Sequence, residues 1–381
     1  MYSLTAYGRM IADPVRIGAY DRALQAAIRP DSVVLDIGAG TGILSLLACR
    51  HGALRVYAVE PSNAIAVARA ISRANGMADR IEFIQAMSTA VTLPEPVHVV
   101  ASDLHGVLPL LEQLVPSLID ARDRLLRPGG VLIPQCETLW AALVDACELY
   151  DRLVEPWAAG RLGFTMEAAR SMVVNSWTKA SIAKGQLLSE PRCWGSLDYS
   201  AVLSTDVSGR FATEVTRSSV AHGLCVWFDA QLFDGIEVSN APGRPETIYG
   251  QGFFPFSFPV HVEAGDTVEA TLRASLVGSD YVWAWDTRIS RGETPTVADF
   301  HQSTFLGSPL ALDQLHKRSS EHTPALTEEG AIDLYILQSM NGRASLDELA
   351  RALTVKFPGR IATDQTALTR VAELSEKYSR A

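Results

Sequence analysis

The sequence predicts an α/β protein: a doubly wound parallel sheet, then an antiparallel β-barrel, then a small helical C-terminal domain. In the first third, β-branched runs alternate with stretches of helical spacing, which is typical of parallel strands joined by right-handed crossovers. From about residue 190 to 295, β-type runs are separated by turns rich in Gly, Pro, Asn and Asp. From about residue 306, leucines recur at helical spacing. These changes predict domains over 1–137, 138–305 and 306–381.

The elements of the first domain follow from local signals. Five β-type runs supply its strands: SVVLDIGAG, RVYAVEPS, RIEFIQA, PVHVVASD and VLIPQ. Helices are expected over ILSLLACRHG, AIAVARAISRANG and LVPSLIDARDRLLRPGG, because each has helical spacing and ends in glycine, the last in Pro-Gly-Gly.

The later elements are predicted in the same way. The barrel strands are HGLCVWFDAQLF, QGFFPFSFPVHV, DTVEATLRASLV and DYVWAWDTRIS. After a linker rich in Ser, His, Pro and Thr, the helical stretches are GAIDLYILQSMNGRASLDELARALTVKFPG, with a start at Ser345, and DQTALTRVAELSEKY. This tail loosely resembles small winged-helix domains that bind leader peptides, and a helical cap packed on the barrel is an equally good interpretation.

Composition limits the classes of function. The 381 residues carry a formal net charge of −10 and no lysine/arginine run, which argues against a broad nucleic-acid surface. We expect no membrane span and no signal peptide, because no apolar stretch of suitable length occurs. The five cysteines form no C-x-x-C pair, and no His/Cys/Asp/Glu cluster has the spacing of metal ligands, so we expect reduced thiols, a cytoplasmic location and no metal.

A glycine-rich turn follows the first predicted strand. Asp36, Gly38, Gly40 and Gly42 form D-x-G-x-G-x-G at the carboxyl end of that strand, where doubly wound sheets bind ligands. A dinucleotide fingerprint needs G-x-G-x-x-G, so nicotinamide-dependent oxidation is the weaker hypothesis. Glu60 ends the second strand, where a carboxylate can accept both hydrogen bonds of a ribose diol.

Two acids follow the fourth predicted strand. Asp103 and Glu112 are nine residues apart, and His105 lies between them. The acids could hold a cation beside the glycine turn, and His105 could act as a general base, since its unperturbed pKa is near 6.5. A surface or helix-capping histidine is the alternative for His105, and two solvated acids for the pair.

The stretch VLDIGAGTGILSLLACRHGALRVYAVEPS resembles the Rossmann-type S-adenosylmethionine-binding core of class I methyltransferases and, more narrowly, of the protein arginine methyltransferases. The resemblance runs from about residue 2 to 295. It implies that Glu60 holds the ribose of S-adenosyl-L-methionine, that Arg16 pairs with its carboxylate and that Met10 lines the floor of the site. It further implies an adenine site, a dimerisation arm at about 155–190 and a homodimer. The residues implied around the adenine are Met87, Ser88 and Thr89.

The same resemblance bears on the acid pair. In that family two glutamates nine residues apart grip a guanidinium, and Asp103 and Glu112 match their positions. The aspartate is shorter by one carbon–carbon bond, roughly 1.5 Å. The Thr-His-Trp loop of the family is Thr247-Ile248-Tyr249 here, so Tyr249 keeps only the aromatic character.

These observations predict an S-adenosylmethionine-dependent methyltransferase that acts on a polar or cationic nucleophile of a small molecule, peptide or protein, with an arginine-like side chain as one possibility. The alternative from another class is a non-catalytic scaffold that keeps the cofactor pocket and binds peptides. The altered acid pair is the feature that favours the scaffold, since it is a sign of lost chemistry, and both hypotheses keep the glycine turn.

Overall fold

The computed structural model describes residues 2–111, 113–158, 160–292 and 294–380. The chain divides into two compact units, Met1–Ser308 and Pro309–Ala381. This single division, between 308 and 309, lies near the predicted boundary at 305, and the predicted boundary at 137 stays a prediction.

Two helices open the first unit, α1 (Leu4–Ala12) and α2 (Pro14–Ala27). The second begins where it does because the Asp13 carboxylate accepts hydrogen bonds from the backbone N–H groups of Val15 and Arg16, both at 3.0 Å, and because proline is favoured in a first helical turn.

A five-stranded parallel sheet follows, as predicted. Its strands are β1 (Val33–Ile37), β2 (Arg55–Val59), β3 (Ile81–Ile84), β4 (Val97–Ser102) and β5 (Leu126–Ile133). They lie in the order β3-β2-β1-β4-β5, so the direction of winding reverses between β1 and β4, and ligands bind at such a switch point. The connecting helices are α3 (Ile43–Arg50), α4 (Ala64–Ala74) and α5 (Leu114–Arg124), and single 3-10 turns cover Ala78–Arg80 and Ser88–Ala90.

One predicted boundary in this sheet is wrong. The third helix was expected to run to the Pro-Gly-Gly sequence, but α5 ends at Arg124 and β5 already begins at Leu126. The pairing of β4 with β5 shifts register between Val97 and Val99, and β5 is an edge strand. Proline and glycine are tolerated in such an irregular edge strand, so they do not mark a helix end here.

The predicted barrel region consists of antiparallel sheets. One has the order β7-β12-β10-β6-β8, with β11 paired to β10, and the other has the order β15-β14-β13-β9. The strands are β6 (Cys136–Val144), β7 (Thr178–Ala180), β8 (Arg192–Asp198), β9 (Val207–Glu214), β10 (Ser219–Phe233), β11 (Ile236–Ser239), β12 (Gln251–Val262), β13 (Thr267–Val277), β14 (Asp280–Arg291) and β15 (Thr294–Ser303). Phe254 of one sheet packs edge to face on Trp283 and Trp285 of the other, with ring centroids 5.2 and 5.3 Å apart, so the sheets share one core.

Short helices lie between these strands or, for the last of them, directly after β15. They are α6 (Cys147–Val154), α7 (Glu167–Val173) and α8 (Thr304–Gly307), with 3-10 turns at Glu155–Trp157, Arg161–Gly163 and Lys184–Gln186.

The second unit contains α9 (Leu312–Lys317), α10 (Glu328–Ser339), α11 (Leu346–Lys356) and α12 (Asp364–Tyr378). The predicted start at Ser345 is a capping box with Glu348. Ile332, Leu353 and Val371 form the centre of its own small core. Between 309 and 380 the structure describes helices and no strand, whereas a winged helix needs a β-hairpin, so the winged-helix resemblance has no support there.

Among the helices that the structure describes, none is both long and apolar enough to cross a membrane.

We expect Leu353→Ala to destabilise the second unit by roughly 2–5 kcal/mol, because it removes a fully buried side chain from a small core. Hydrogen exchange followed by mass spectrometry should show faster exchange in α10, α11 and α12. Val355→Ala on the same helix is the control: Val355 is 81% exposed, so its truncation should change stability by less than about 0.5 kcal/mol. Equal effects of the two substitutions would contradict the assigned core.

Candidate active site

The glycine turn connects the end of β1 to the start of α3. Gly38, Gly40 and Gly42 have φ angles of 72°, 54° and 85°, in the left-handed region that favours glycine. The N–H groups of Gly38 and Ala39 donate to the carbonyl of Val59 at 2.9 and 3.1 Å, which ties the turn to the end of β2. The predicted turn is therefore formed at the switch point.

Two side chains lie directly against this turn. A Cβ atom on Gly38 would come within 2.5 Å of Leu104, and one on Gly40 within 2.6 Å of the Tyr7 ring. Leu104 belongs to the segment after β4, and Tyr7 belongs to α1. The acid-bearing segment and the N-terminal helix thus both contact the glycine turn.

Asp36 is a buried acid at the end of β1. Its Oδ2 accepts a hydrogen bond from the Ser45 hydroxyl at 2.6 Å, whereas its Oδ1 has no hydrogen-bond partner among the described residues. Burial raises the pKa of Asp36 to about 6, although the hydrogen bond from Ser45 acts to lower it. An unpartnered buried carboxylate oxygen is an acceptor available for a ligand.

Glu60, at the end of β2, faces the same turn. Its Oε2 accepts from the N–H of Gly40 at 3.0 Å and its Oε1 from the N–H of Ser62 at 2.8 Å. A carboxylate has about four lone-pair positions, so each oxygen retains capacity for one more donor. This remaining acceptor capacity fits the two hydroxyl donors of a ribose diol.

The predicted adenine residues follow β3. Ser88 is buried and begins a single 3-10 turn, while Met87 is 46% exposed and Thr89 is exposed. Arg124 on α5 fixes this turn, because its guanidinium donates to the carbonyl of Ser88 at 3.3 Å. Met87, Ser88 and Thr89 thus lie at the carboxyl end of the sheet.

Asp103, just after β4, is surrounded by donors. Its Oδ2 forms a salt bridge with Nε of Arg16, and its Oδ1 accepts from Nδ1 of His105 at 2.9 Å and from the Tyr249 hydroxyl at 2.8 Å. Burial acts to raise the pKa of Asp103, but the charge of Arg16 and the hydrogen bond from His105 outweigh it and hold the pKa well below its usual range. Asp103 is therefore an anion in the folded protein.

His105 connects Asp103 to a second buried acid, Glu137 on β6. Its Nε2 donates to Oε1 of Glu137 at 2.7 Å, and the same oxygen accepts from the Tyr199 hydroxyl at 3.0 Å. The imidazole is fully buried and stacks on Phe228, with ring centroids 4.9 Å apart. Burial acts to lower the pKa of His105, but the two carboxylates raise it to about 10.

This geometry does not support the predicted role of His105 as a general base. At neutral pH the ring is an imidazolium that donates both N–H groups to carboxylates, so it has no lone pair with which to accept a proton. Nor is it a surface or capping histidine. Its contacts are those of a residue that positions Asp103.

The loop at 247–249 joins this cluster from the antiparallel region. Asp13, which caps α2, also accepts from the N–H of Ile248 at 2.7 Å, and Tyr249 then places its hydroxyl on Asp103. Met10 contributes its carbonyl, which accepts from Nη1 of Arg16 at 2.9 Å. Arg16 is thus engaged by Asp103 and by the carbonyl of Met10.

The structure therefore brings together five of the predicted residues and adds others. Glu112, the second predicted acid, lies outside the described residues. Asp13 and Glu137 were missed by sequence reasoning. The Asp-Pro pair before a helical stretch signals a cap at Asp13, whereas Glu137 in an otherwise apolar strand carried a weaker signal. The five residues brought together are Met10, Arg16, Asp103, His105 and Tyr249.

No group of three or more His, Cys, Asp or Glu side chains that could hold a metal ion occurs among the residues with described positions.

Two families match this chain. Residues 34–130 match the family described as Methyltransferase domain, and residues 135–281 match the Arginine methyltransferase oligomerization subdomain. The first match covers the parallel sheet and the glycine turn, and the second covers most of the antiparallel region.

Whole proteins are similar as well. Protein arginine N-methyltransferase 6 of Xenopus tropicalis is 33% identical over 292 residues, which are 73% of this chain and 85% of that protein. Arginine N(omega)-methyltransferase of Streptomyces achromogenes subsp. streptozoticus is 31% identical over 281 residues, which are 70% of this chain and 77% of that protein. Among solved structures, protein arginine methyltransferase 10 of Arabidopsis thaliana has a TM-score of 0.69 at 25% identity, covering 78% of this chain and 96% of that one.

The fold and the glycine turn with its acids define an S-adenosylmethionine-dependent methyltransferase. The chain belongs to the protein arginine methyltransferase family.

We expect Asp36→Asn to stabilise the protein above pH 6, because the raised pKa of Asp36 makes its ionised form costly in the folded state. The folded state holds the proton of Asp36 more tightly than the unfolded chain does. The contribution of Asp36 to stability is therefore present below about pH 4 and is lost as the pH rises through about 6. Urea unfolding should therefore show a gain of up to roughly 3 kcal/mol at pH 7.5 that disappears near pH 4. Asp31→Asn, at an exposed position, is the control and should change stability by less than about 0.5 kcal/mol.

We expect His105→Leu to cost about 3–5 kcal/mol at pH 7, because it leaves two buried carboxylates without their shared cation. The stability that His105 contributes should be full below about pH 6.5 and should fall as the pH rises towards 10, since its folded pKa is raised. Urea unfolding of the wild type and the variant at pH 7 and pH 10 measures both effects.

His301→Leu is the matched control. His301 also contacts a carboxylate, that of Asp286, at 2.8 Å, but it is 73% exposed, so its loss should cost less than about 1 kcal/mol. A His105→Leu variant no less stable than His301→Leu would contradict the buried bridge.

Proposed function

We propose that this enzyme transfers a methyl group from S-adenosyl-L-methionine to a guanidinium nitrogen of an arginine side chain or of arginine itself. When bound, this cofactor supplies a methyl group already activated as part of a sulfonium. The site fits the group: Asp36 leaves one buried oxygen unpartnered, and Glu60 keeps acceptor capacity for a ribose. Around these we propose that Arg16 binds the carboxylate of the cofactor, that the glycine turn lies against the cofactor, and that the residues after β3 surround its adenine. The residues of the turn are Gly38, Gly40 and Gly42, and those after β3 are Met87, Ser88 and Thr89.

The observation that carries the proposal is the contact between the two loops of the site. Asp103 precedes Leu104, and Leu104 packs over Gly38 of the glycine turn. An acceptor nitrogen held by Asp103 would therefore lie next to the cofactor site, as in-line displacement requires.

The donors around Asp103 limit how it can hold the acceptor. Three of its four lone-pair positions are occupied by Arg16, His105 and Tyr249, so one remains for a substrate N–H. We propose that Asp103 accepts this single hydrogen bond, that Glu112 supplies the second acid, and that Met10 and Tyr249 line the acceptor site. When the acceptor nitrogen gains the methyl group it would release one proton, and Glu112, as the second acid, would accept that proton and pass it to water.

The names of the relatives support arginine as the acceptor. One is a protein arginine N-methyltransferase and another is an arginine N(omega)-methyltransferase. The scaffold alternative is less favourable. It depended on the altered acid pair having lost its chemistry, whereas three donors keep Asp103 anionic. Family membership also favours methyl transfer over nicotinamide chemistry.

We further propose a homodimer in the cytoplasm. The match to an oligomerization subdomain supports association, and the proposed arm at about 155–190 exposes Leu162 at 82% and Phe164 at 64%. The cysteines at 49, 136, 147, 193 and 225 are free thiols, which suits a reducing compartment. An acceptor that is neither nucleic acid nor membrane is part of the same proposal.

We expect Glu60→Gln to weaken binding of S-adenosylhomocysteine about tenfold, because neutral hydrogen bonds replace charge-assisted ones. Isothermal titration measures the affinity. Glu82→Gln, an exposed glutamate on the neighbouring strand β3, is the control and should bind as the wild type does. Wild-type protein that is folded but gives no binding at high micromolar ligand would overturn the cofactor assignment.

A second measurement tests the transfer itself. With labelled cofactor and an arginine-containing acceptor, the wild type should yield a labelled acceptor, and Asp103→Asn should lose most of this transfer because the carboxylate no longer balances the acceptor's charge. Unchanged transfer by Asp103→Asn would contradict the role of this acid.

A further inference from the structure

A surface groove adjoins the acceptor site on the side of α1. It has a volume of about 610 Å³ and is lined by residues of α1, α6, β7 and the loop at 246–250. The groove is separate from the glycine turn, and nothing in the proposed methyl transfer uses it.

Three cationic side chains converge on this groove from three different elements. They are Arg9 of α1, Arg152 of α6 and Lys179 of β7. Arg9 and Arg152 have no ion-pair partner among the residues that the structure describes, and the Lys179 ammonium donates to the carbonyl of Ile248. Unpaired cations that converge in a chain of net charge −10 are notable, because acids to pair them are abundant.

The two acids that line the groove do not neutralise it. The Asp13 carboxylate is buried and accepts three backbone N–H groups, from Val15, Arg16 and Ile248. Glu246 accepts from the Ser181 hydroxyl at 3.3 Å, and its charge acts on Lys179. The guanidinium groups of Arg9 and Arg152 therefore remain available to an anion from solution.

Two residues that line the groove are the chain neighbours of residues of the acceptor site. Ile248 lines it, and the next residue, Tyr249, donates its hydroxyl to Asp103. Arg9 lines it, and the carbonyl of the next residue, Met10, accepts from Arg16. A molecule whose guanidinium reaches Asp103 would therefore have the rest of its body near these cations.

We propose that this groove binds a carboxylate of the methyl acceptor, so that the preferred acceptor carries a negative charge beside its arginine side chain. The carboxylate is either the α-carboxylate of free arginine or the side chain of an acidic residue that flanks arginine in a peptide. Guanidinium groups suit this task, because their planar N–H forks bind carboxylates through two parallel hydrogen bonds. The role of the groove in selecting the acceptor rests on the proposed methyl transfer. The binding of a carboxylate by the groove does not depend on that proposal.

Steady-state methylation at constant ionic strength tests the preference. Arginine is compared with agmatine, which is arginine without its carboxylate, and an arginine peptide flanked by aspartates is compared with the same peptide flanked by lysines. We expect kcat/KM at least tenfold higher for the carboxylate-bearing member of one pair. A preference within the first pair identifies the α-carboxylate, and a preference within the second identifies an acidic neighbour.

Charge reversal in the groove tests the residues. Arg152→Glu and Arg9→Glu should each raise KM for the preferred acceptor at least tenfold, leave kcat nearly unchanged and leave the kinetics with agmatine unchanged. Arg127→Glu is the matched control, because Arg127 is an exposed arginine at the start of β5, outside the groove, and should behave as the wild type. Equal kcat/KM values within both pairs, or unchanged KM in both groove variants, would overturn the proposal while leaving methyl transfer intact.

A binding measurement separates this proposal from the proposed function. A fluorescent peptide with one arginine between aspartates is titrated with protein saturated with S-adenosylhomocysteine, and anisotropy reports binding without any transfer. Binding that Arg152→Glu weakens at least tenfold and Arg127→Glu does not supports the groove even if no acceptor is methylated. If neither this peptide nor labelled arginine binds more tightly to the wild type than to Arg152→Glu, the groove proposal fails, whatever the enzyme methylates.

Discussion

The buried salt bridge between Arg16 and Asp103 is the constraint on which the rest of the site depends. Two charges removed from water must neutralise one another, or their desolvation would destabilise the fold. The surrounding residues extend this balance into an alternating series of charges, Arg16, Asp103, His105 and Glu137, in which each cation faces a carboxylate. The site thus has its charges and orientations fixed before any ligand arrives.

The same network explains how an aspartate can occupy a position where the related family has a glutamate. The shorter side chain cannot reach as far, and the space around it is filled by the imidazole of His105 and the hydroxyl of Tyr249. Both groups donate to Asp103 and fix its orientation, so its remaining acceptor capacity has a defined direction. The family's aromatic loop residue is changed to Tyr249, which contributes a hydroxyl as well as a ring.

The sequence predicted the order of strands and helices well, because hydrophobic periodicity and glycine positions are local signals. The parallel sheet, the turn from Asp36 to Gly42 and the start of α11 are all confirmed. The boundary at Pro128 was wrong because the register of an edge strand depends on its neighbour, which no local pattern reveals. The chemistry of His105 cannot be predicted from a local pattern for a similar reason. Its pKa depends on Glu137, which is 32 residues away and belongs to another sheet.

The bridge through His105 has a consequence for how this enzyme can change over evolutionary time. His105 follows a strand of the parallel sheet and Glu137 belongs to the antiparallel sheet, so the bond between them crosses the junction of two independently recognised families. Loss of either partner alone leaves an unpaired charge in the interior. A substitution at one position therefore favours a compensating substitution at the other. Descendants of this chain should keep both residues or replace both with an apolar pair, and a recombinant that takes its two halves from different parents should inherit the mismatch at this point.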